Sequence, residues 1–474
     1  MDYQKVSEPI ISELRSILGD SGVVTDPEKM EAYSHDEVPE TRWRHLPEVV
    51  VKPENTCQVA QVMKLANREK VPVTPRGAGT GLAAGAVPFL GGIVLSLEKM
   101  NRIIEVDRQN LVMVVEPGVT TGDVQKCARD HGYLYAGDPC SADSSFIGGN
   151  IATNAGGNKA VKYGCTSKHV NGLEVVLPSG EVTTLGGKCV KDVTGYDLLH
   201  LIVGSEGTLG IATRIYLKLL PRPRFNAVLM VPFSELSEAI DLVPRLMTQG
   251  GIVPTSIEFM DQTCIRSAER FLDRQLPHNT AGAHLIIELD SSTETQLLEE
   301  MEQVSGLCGV HGCQEVFVGD NPATQEKIWK PRRVLAESLR VTSPTYCMED
   351  IVVPVSHIPG IVKEINRIAD QQGIVIACFG HAGDGNIHAT LLKGDLPDDV
   401  WEERKGKALD LIYSEVYARG GNLSGEHGIG AKRKEALSKY LDPVKMKTMK
   451  AIKLALDPNL VLNPGKIFDV RKEV

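Results

Sequence analysis

The sequence lacks closely spaced cysteine pairs. Ten cysteines are scattered along its 474 residues, and none forms a C-x-x-C motif. Zinc ribbons and iron–sulfur clusters are held by thiolates at such short spacings, so neither kind of centre is expected. We expect reduced, mostly buried thiols, as in intracellular proteins, and no cluster in this chain to receive electrons.

Long hydrophobic runs and an excess of positive charge are also missing. No apolar stretch approaches the roughly 18 residues of a membrane span. A net charge of −10 argues against binding phosphate backbones, which basic surfaces neutralise. Glu8 and Glu13 interrupt any continuous apolar core in the N-terminal segment, so that segment does not resemble a signal peptide. We expect a cytoplasmic protein, or one attached peripherally to a membrane, with no transmembrane segment and no nucleic-acid partner.

Glycine, in contrast, is abundant and unevenly placed. Three blocks, RGAGTGLAAGA, FIGGNIATNAGGN and GSEGTLG, fall between about residues 75 and 210, among strand-like runs such as IVLSLE. Two prolines in LLPRPRF end this region, and alternating strands and amphipathic helices then continue to about residue 420. The sequence predicts an α+β protein with a first domain over 1–222, a second α+β domain over 223–420 and a C-terminal segment over 421–474.

The first glycine block matches the dinucleotide fingerprint G-x-G-x-x-A, beginning at Gly79, and Glu98 follows where a ribose-binding acid would lie. We reject a Rossmann unit, because parallel strands joined in that way need a crossover helix. The interval 82–92 contains three glycines and a proline, which a helix would not tolerate. The same loop is still suited to pyrophosphate, because small residues let backbone N–H groups converge on an anion.

Four segments, PRGAGTGLAAGAVP, GGNIATNAGG, TGYDLLHLIVGSEGTLGI and LNPGK, resemble the vanillyl-alcohol-oxidase-type flavoproteins. Within them the sequence is most similar to the FAD-linked D-lactate dehydrogenase and glycolate oxidase flavoprotein subunit family. The resemblance implies an FAD-binding domain, built from the N-terminal half and the C-terminal segment, and an α+β cap domain that receives the substrate. No residue in the 75–85 loop matches the covalent tethers of some relatives, so non-covalent FAD is expected.

The resemblance also implies which residues contact FAD. The 75–81 loop would hold the pyrophosphate, 138–157 would run beside the cofactor, and 204–211 would support its adenine and ribose end. The implied cofactor-binding residues are Pro75, Arg76, Gly77, Ala78, Gly79, Thr80, Gly81, Pro117, Gly118, Asp138, Pro139, Ser144, Gly148, Gly149, Asn154, Gly156, Gly157, Gly164, Glu206, Thr208, Gly210, Ile211 and Asn463.

A second feature is FGHAGDGNIH (379–388), where Asp384-Gly385 between strand-like segments predicts a β-hairpin with a type I′ turn. That turn would pair His381 with His388 on one face of the ladder, with Cβ atoms about 4.5–5.5 Å apart. Two imidazoles so placed reach a common metal. A downstream turn, SGEHGIG, adds Glu426 and His427, and the chemistry of the residues alone leaves either as the third ligand of a divalent zinc, iron(II) or manganese ion.

The resemblance resolves these roles. It implies that His381, His388 and Glu426 bind the metal and that His427 is the catalytic base. It also implies that Arg332, in IWKPRRVLAESLR, binds the substrate carboxylate, with neighbouring Arg333 as the less favoured alternative. By the same resemblance the two metal-binding histidines and Asn386 are substrate-binding residues as well.

The reaction implied is oxidation of a small D-2-hydroxy acid to the 2-oxo acid, with hydride passing to the flavin. Relatives that act on D-2-hydroxyglutarate have a lysine where this sequence has Met348, so D-lactate is favoured and glycolate comes next. The electrons are expected to pass to a partner, an electron-transfer flavoprotein or an iron–sulfur subunit. The alternatives are an oxygen-using oxidase and a non-catalytic, electron-carrying flavoprotein.

Overall fold

The computed structural model describes residues 3–313 and 315–470. The chain divides into two compact units. Unit 1 contains the residues up to Gly156, Cys165–Pro221 and the residues from Glu426 onward, and unit 2 contains Gly157–Gly164 and Arg222–Gly425. Each is described by itself below.

The strands formed by the described residues are numbered along the chain. They are β1 (Val23–Val24), β2 (Val49–Val51), β3 (Val73–Arg76), β4 (Ile93–Ser96), β5 (Ile103–Asp107), β6 (Val112–Val115), β7 (Tyr133–Leu134), β8 (Val170–Val176), β9 (Val182–Gly186), β10 (Ile211–Lys218), β11 (Leu220–Pro221), β12 (Phe225–Phe233), β13 (Ser256–Asp261), β14 (Ala283–Ser291), β15 (Phe317–Gly319), β16 (Tyr346–Val352), β17 (Val375–His381) and β18 (Asn386–Leu392).

The helices of the same residues are numbered in the same way, with short 3₁₀ turns left unlabelled. They are α1 (Glu8–Leu18), α2 (Pro27–Met30), α3 (Thr56–Glu69), α4 (Thr121–Asp130), α5 (Ile147–Thr153), α6 (Ala160–Tyr163), α7 (Leu198–Ile202), α8 (Leu236–Thr248), α9 (Gln262–Leu272), α10 (Glu294–Val310), α11 (Pro322–Arg333), α12 (Leu335–Thr342), α13 (Ile358–Gln372), α14 (Asp398–Ala418), α15 (Lys434–Tyr440) and α16 (Pro443–Leu456).

Unit 1 contains two main sheets. The first has the strand order β1-β2-β4-β3, and the second is an antiparallel sheet in the order β5-β6-β10-β8-β9. Helices α1 and α3 bury their apolar faces against the first sheet, and Asn55 caps α3 by accepting the Gln58 N–H. The C-terminal segment returns to this sheet, since the Val73 N–H donates to the Val461 carbonyl.

The rejection of a Rossmann unit is confirmed. Strands β3 and β4 are parallel neighbours, and the residues between them form loop and turns with no helix. Glu98 is not free for a ribose, because its carboxylate accepts from Tyr33 and Ser96 and pairs with Lys52 at 2.8 Å.

Unit 2 is built on one antiparallel sheet in the order β15-β12-β14-β13-β17-β18-β16. Its central strands are buried along most of their length, which explains their mainly apolar sequences such as NAVLMVPF and AHLIIELD. Polar residues on such strands are exceptions, and they mark the candidate site described next.

Of the ten cysteines, Cys264, Cys308, Cys347 and Cys378 are buried, Cys127, Cys165 and Cys313 are half-buried, and Cys57, Cys140 and Cys189 are exposed. No helix within the two described stretches of chain is long and apolar enough to cross a bilayer.

Candidate active site

A cleft in unit 1 brings the three glycine blocks together. Most of the residues expected to bind the cofactor lie on its wall. They are Pro75, Arg76, Gly77, Ala78, Gly79, Thr80, Gly81, Pro139, Gly148, Gly149, Gly156, Glu206, Gly210, Ile211 and Asn463. Six further expected residues of this unit lie outside the cleft lining, namely Pro117, Gly118, Asp138, Ser144, Asn154 and Thr208. Gly157 and Gly164 belong to unit 2.

The first glycine loop is supported from beneath by Arg76. This guanidinium is buried and donates to the carbonyls of His35 at 2.7 Å and Ala32 at 3.0 Å. Gly79 has φ +79°, and a Cβ there would lie closer than 3.0 Å to that guanidinium. The loop therefore requires glycine both for its backbone and for the close approach of the arginine.

Asp36 also lines this cleft, and no local motif in the sequence marks it. Burial raises the pKa of its carboxyl to about 6, against the pull of Arg76 and Lys466. Within the described parts of the chain its Oδ2 has no hydrogen-bond partner. A buried acceptor without a partner is costly unless a ligand or water satisfies it, so Asp36 joins the candidate cofactor-binding residues.

Glu206, which is expected at the adenine and ribose end of the cofactor, also makes hydrogen bonds within the protein. Its two carboxylate oxygens accept the N–H groups of Ile429 at 2.8 Å and Gly430 at 2.6 Å. Burial raises the pKa of this carboxyl. Glu206 thereby fixes the turn that immediately follows His427.

Glu426 and His427 line the same cleft of unit 1. His427 Nε2 is 3.6 Å from Glu426 Oε1, and both side chains are largely buried. The expected base thus faces the space in which the cofactor would lie.

In unit 2, the predicted type I′ turn at Asp384-Gly385 is wrong. Strand β17 ends and β18 begins on either side of a four-residue loop, 382–385, and a type I′ turn needs positive φ at both central residues. Only Gly385 of that pair has it, at φ +90°. The loop has a local bond, from the Asp384 N–H to the His381 carbonyl, and a tertiary bond, from the Gly383 N–H to the carbonyl of Ile257 in β13.

The predicted pairing of His381 with His388 is wrong by two residues. His381 lies opposite Asn386, and His388 lies opposite Phe379. Because side chains alternate between faces, a shift of two positions returns each to its original face. The two imidazoles are therefore diagonal neighbours on one face, with ring centroids 5.3 Å apart.

Both histidines are buried, and each lies beside a buried carboxylate. His381 Nδ1 is 2.6 Å from Oε1 of Glu258, and His388 Nδ1 is 3.9 Å from Oδ1 of Asp350. Nitrogen and oxygen donors of this kind suit a first-row divalent metal, so the side chains of unit 2 fit the expected ion.

Arg332 lies at the end of α11 and is buried. Its guanidinium contacts Glu258 Oε2 through Nε at 3.0 Å and Nη2 at 2.7 Å and lies 4.8 Å from the centre of the Phe379 ring. The neighbouring Arg333 is exposed and pairs with Glu326. Arg332 is therefore part of the buried group in unit 2, and Arg333 is a solvent-exposed helix charge.

Asp350 organises the other side of the histidine pair. Its carboxylate accepts from Asn386 Nδ2 at 2.6 Å, Ser424 Oγ at 2.7 Å and the Gly425 N–H. The Asn386 amide nitrogen also donates to the Ile351 carbonyl at 3.0 Å. Among the described residues the Asn386 Oδ1 atom has no hydrogen-bond partner.

Sequence reasoning missed Glu258 and Asp350. Each lies in a largely buried strand that contains two carboxylates, SIEFMD or YCMEDIV. A charge that the strand pattern buries needs a partner, and this was the available signal.

Two family descriptions match this chain. The description "FAD linked oxidases, C-terminal domain" matches residues 222–467, and "FAD binding domain" matches residues 47–186. A D-lactate dehydrogenase of Anaerostipes hadrus is 38% identical over 470 residues, which cover 98% of each chain. The glycolate oxidase subunit GlcD of Bacillus subtilis is 38% identical over 444 residues, which cover 93% of each.

The chain belongs to the FAD-linked oxidase family. It is thus an FAD-linked oxidoreductase, as the sequence motifs predicted. The p-cresol methylhydroxylase structure overlays with a TM-score of 0.81 at 19% identity, covering 98% of this chain and 97% of that one. The 4-ethylphenol oxidase of Gulosibacter chungangensis gives 0.78 at 19% identity, covering 100% of this chain and 99% of that one. These likenesses confirm the vanillyl-alcohol-oxidase-type α+β fold.

The cleft of this FAD-linked oxidase fits its cofactor. The wall at 77–81 has almost no side chains, and the buried Oδ2 of Asp36 offers an acceptor to a hydroxyl-rich dinucleotide. Which of the lining residues contact FAD remains a prediction.

Proposed function

We propose that this FAD-linked oxidase oxidises a small D-2-hydroxy acid to the corresponding 2-oxo acid, with D-lactate favoured and glycolate next. The observation that carries the proposal is the buried group in unit 2, in which His381 and Arg332 share the carboxylate of Glu258 and the His388 ring lies next to that of His381. The relatives named D-lactate dehydrogenase and glycolate oxidase subunit support the same substrate class.

Arg332 binds the substrate carboxylate. A guanidinium recognises a carboxylate through paired N–H donors, and Glu258 holds this one in a fixed orientation. The Oδ1 atom of Asn386 accepts the substrate hydroxyl, since its Nδ2 is already committed to Asp350 and Ile351. Met348, half-buried in β16, offers no charge to a second carboxylate, which favours a monocarboxylic substrate.

His381, His388 and Glu426 hold one divalent metal. Chain connectivity supports the third ligand, because the N–H of Gly425 donates to Asp350 and Glu426 is the next residue. When bound, the ion supplies a Lewis acid that lowers the pKa of the substrate hydroxyl. Zinc, iron(II) and manganese all suit two nitrogens and one oxygen.

His427 accepts the hydroxyl proton. A neutral imidazole is the usual base for this step near pH 7, and the turn behind it is fixed by Glu206. Glu426 cannot serve as ligand and base together, so the two neighbouring residues divide the roles. Bound FAD supplies the two-electron acceptor for the C2 hydride.

The electrons leave to a partner protein, either an electron-transfer flavoprotein or an iron–sulfur subunit. The relative from Bacillus subtilis is named a subunit, which supports an assembly, and the ten scattered cysteines offer no cluster motif here. An oxygen-using oxidase is the second candidate, and mixing the reduced protein with air separates the two. Slow reoxidation is expected, whereas reoxidation within seconds with peroxide release would favour the oxidase.

Single-turnover flavin reduction tests the proposal. Anaerobic D-lactate should bleach the flavin of the wild-type protein, and His427→Ala should slow bleaching by about 10²–10⁴-fold, the usual contribution of a general base, while keeping its FAD. An equally fast His427→Ala variant would remove His427 from the mechanism. A wild-type flavin that no small 2-hydroxy acid reduces would defeat the function itself.

A further inference from the structure

Glu258 occupies the centre of the unit 2 sheet. It lies in β13, which pairs with β14 on one side and β17 on the other, and its side chain is fully buried. A carboxylate in such a place is unfavourable unless several donors satisfy it.

The side chains that donate to the Glu258 carboxylate belong to two of the expected functional residues, His381 and Arg332. His381 is the residue directly opposite in β17, and its Nδ1 lies 2.6 Å from Oε1. Arg332 donates a hydrogen bond to Oε2 from Nε, and its Nη2 lies within ion-pair distance of the same oxygen, at 2.7 Å. The two carboxylate oxygens are therefore divided, one for the imidazole and one for the guanidinium.

This division determines which nitrogen of His381 carries the proton. A carboxylate paired with an arginine accepts hydrogen bonds, so Nδ1 is the donor at the 2.6 Å contact. Nε2 is then the nitrogen without a proton, and an unprotonated nitrogen is what a metal ligand requires. Carboxylates that orient a ligating histidine in this way raise its basicity and fix its ring.

We infer that Glu258 is a positioning residue that sets both the tautomer of His381 for the metal and the orientation of Arg332 for the substrate carboxylate. The inference rests on the proposed function. It adds to that function a residue 123 positions from His381 in sequence that couples metal binding to substrate binding.

The alternative is that Glu258 serves only as the counter-charge of Arg332. In that case removing its charge would lower the stability of the fold without a specific effect on metal binding. Asp261 provides a matched control, since it is a buried carboxylate on the same strand that accepts from the backbone N–H groups of Cys264 and Cys378 and contacts neither His381 nor Arg332.

The experiment titrates Mn²⁺ and, separately, Zn²⁺ into metal-stripped protein that retains FAD, using isothermal calorimetry. Glu258→Gln should weaken metal binding about 10–100-fold, as loss of an orienting partner usually does, whereas Asp261→Asn should bind as the wild type does. In steady state Glu258→Gln should also raise KM for D-lactate, because the single amide oxygen cannot serve both Arg332 and His381.

Glu258→Asp is the second variant in case Glu258→Gln does not fold. It keeps the charge opposite Arg332 but is one methylene shorter, so it should also lose metal affinity. A folded Glu258→Gln protein, or Glu258→Asp in its place, that binds Mn²⁺ within threefold of the wild type would overturn the inference. Failure of the wild type to bind either ion would instead overturn the proposed metal site, so the two failures are distinguishable.

Discussion

Gly385 is the residue of the hairpin loop at which an added side chain is least tolerated. The variant Gly385→Ala therefore tests whether this loop positions the metal-binding residues of unit 2. Its φ of +90° is unfavourable for any residue with a Cβ, and a Cβ there would lie closer than 3.0 Å to the Val353 carbonyl oxygen. The backbone conformation costs about 1–2 kcal/mol, and the overpacking costs about 1–3 kcal/mol more. We therefore expect Gly385→Ala to lower the free energy of unfolding by ~2–5 kcal/mol.

Gly394→Ala is the matched control, at the other end of β18. Gly394 also has positive φ, at +54°, but nothing lies within 4 Å of a Cβ built there, so only the backbone cost of about 1–2 kcal/mol applies. At about 2–4 °C per kcal/mol for a unit of this size, thermal unfolding should separate the two variants clearly.

The functional consequence of Gly385→Ala is loss of metal with FAD retained. The Gly385 carbonyl accepts the Val353 N–H at 3.1 Å and anchors the start of β18, which carries Asn386 and His388. Elemental analysis and flavin absorbance measure the two cofactors separately. If Gly385→Ala unfolds at the same temperature as Gly394→Ala and keeps its metal, the proposed role of Gly385 in the loop is wrong.

Three further predictions concern the cleft and the substrate. Glu206→Gln should lower kcat with FAD content unchanged, because an amide has one acceptor for two buried N–H groups and leaving one unpaired costs ~1–3 kcal/mol; an unchanged kcat would contradict this. Arg332→Lys should raise KM for D-lactate about 10–100-fold through loss of the forked contact, equivalent to ~1.5–3 kcal/mol, and an unaltered KM would exclude Arg332 as the carboxylate-binding residue. Burial raises the pKa of Asp36 from 3.8 to about 6, so its contribution to stability is present at low pH and lost as the pH rises through about 6. We therefore compare the free energies of unfolding of cofactor-free Asp36→Asn and wild-type protein. The value for Asp36→Asn minus that for wild type should increase by at most ~3 kcal/mol between pH 4 and pH 7. Thermal unfolding that gives the same difference at both pH values would contradict the raised pKa of Asp36.

Much of the cleft in unit 1 could be predicted from sequence because its signals are local. Glycines at 77, 79 and 81 mark a loop whose backbone must approach a ligand, and the glycine-rich interval 82–92 excludes a crossover helix by itself. The family resemblance then supplied the cofactor, and the comparisons confirm the family and the fold.

The hairpin in unit 2 was predictable only in part. Period-2 alternation places His381 and His388 on one face for any register shifted by an even number of residues, and that feature is confirmed. The loop length depends on the bond from Gly383 to Ile257 in another strand. A local turn signal carries no information about such a contact.

Glu258 and Glu206 show the same limit more strongly. Glu258 meets His381 across 123 positions of sequence, and Glu206 meets Gly430 across 224. Neither residue lies in a motif from which its partner could be predicted. The sequence pattern indicates only that a charge is buried, and a buried charge requires a partner without identifying it.

The central claim is that oxidation of a D-2-hydroxy acid depends on a metal held by His381, His388 and Glu426. Anaerobic flavin reduction by D-lactate, followed before and after metal removal, tests this most directly. We expect rapid bleaching by D-lactate but not L-lactate, loss of bleaching after chelation, and recovery when Zn²⁺ or Mn²⁺ is restored. Undiminished bleaching by D-lactate in metal-free protein would contradict it.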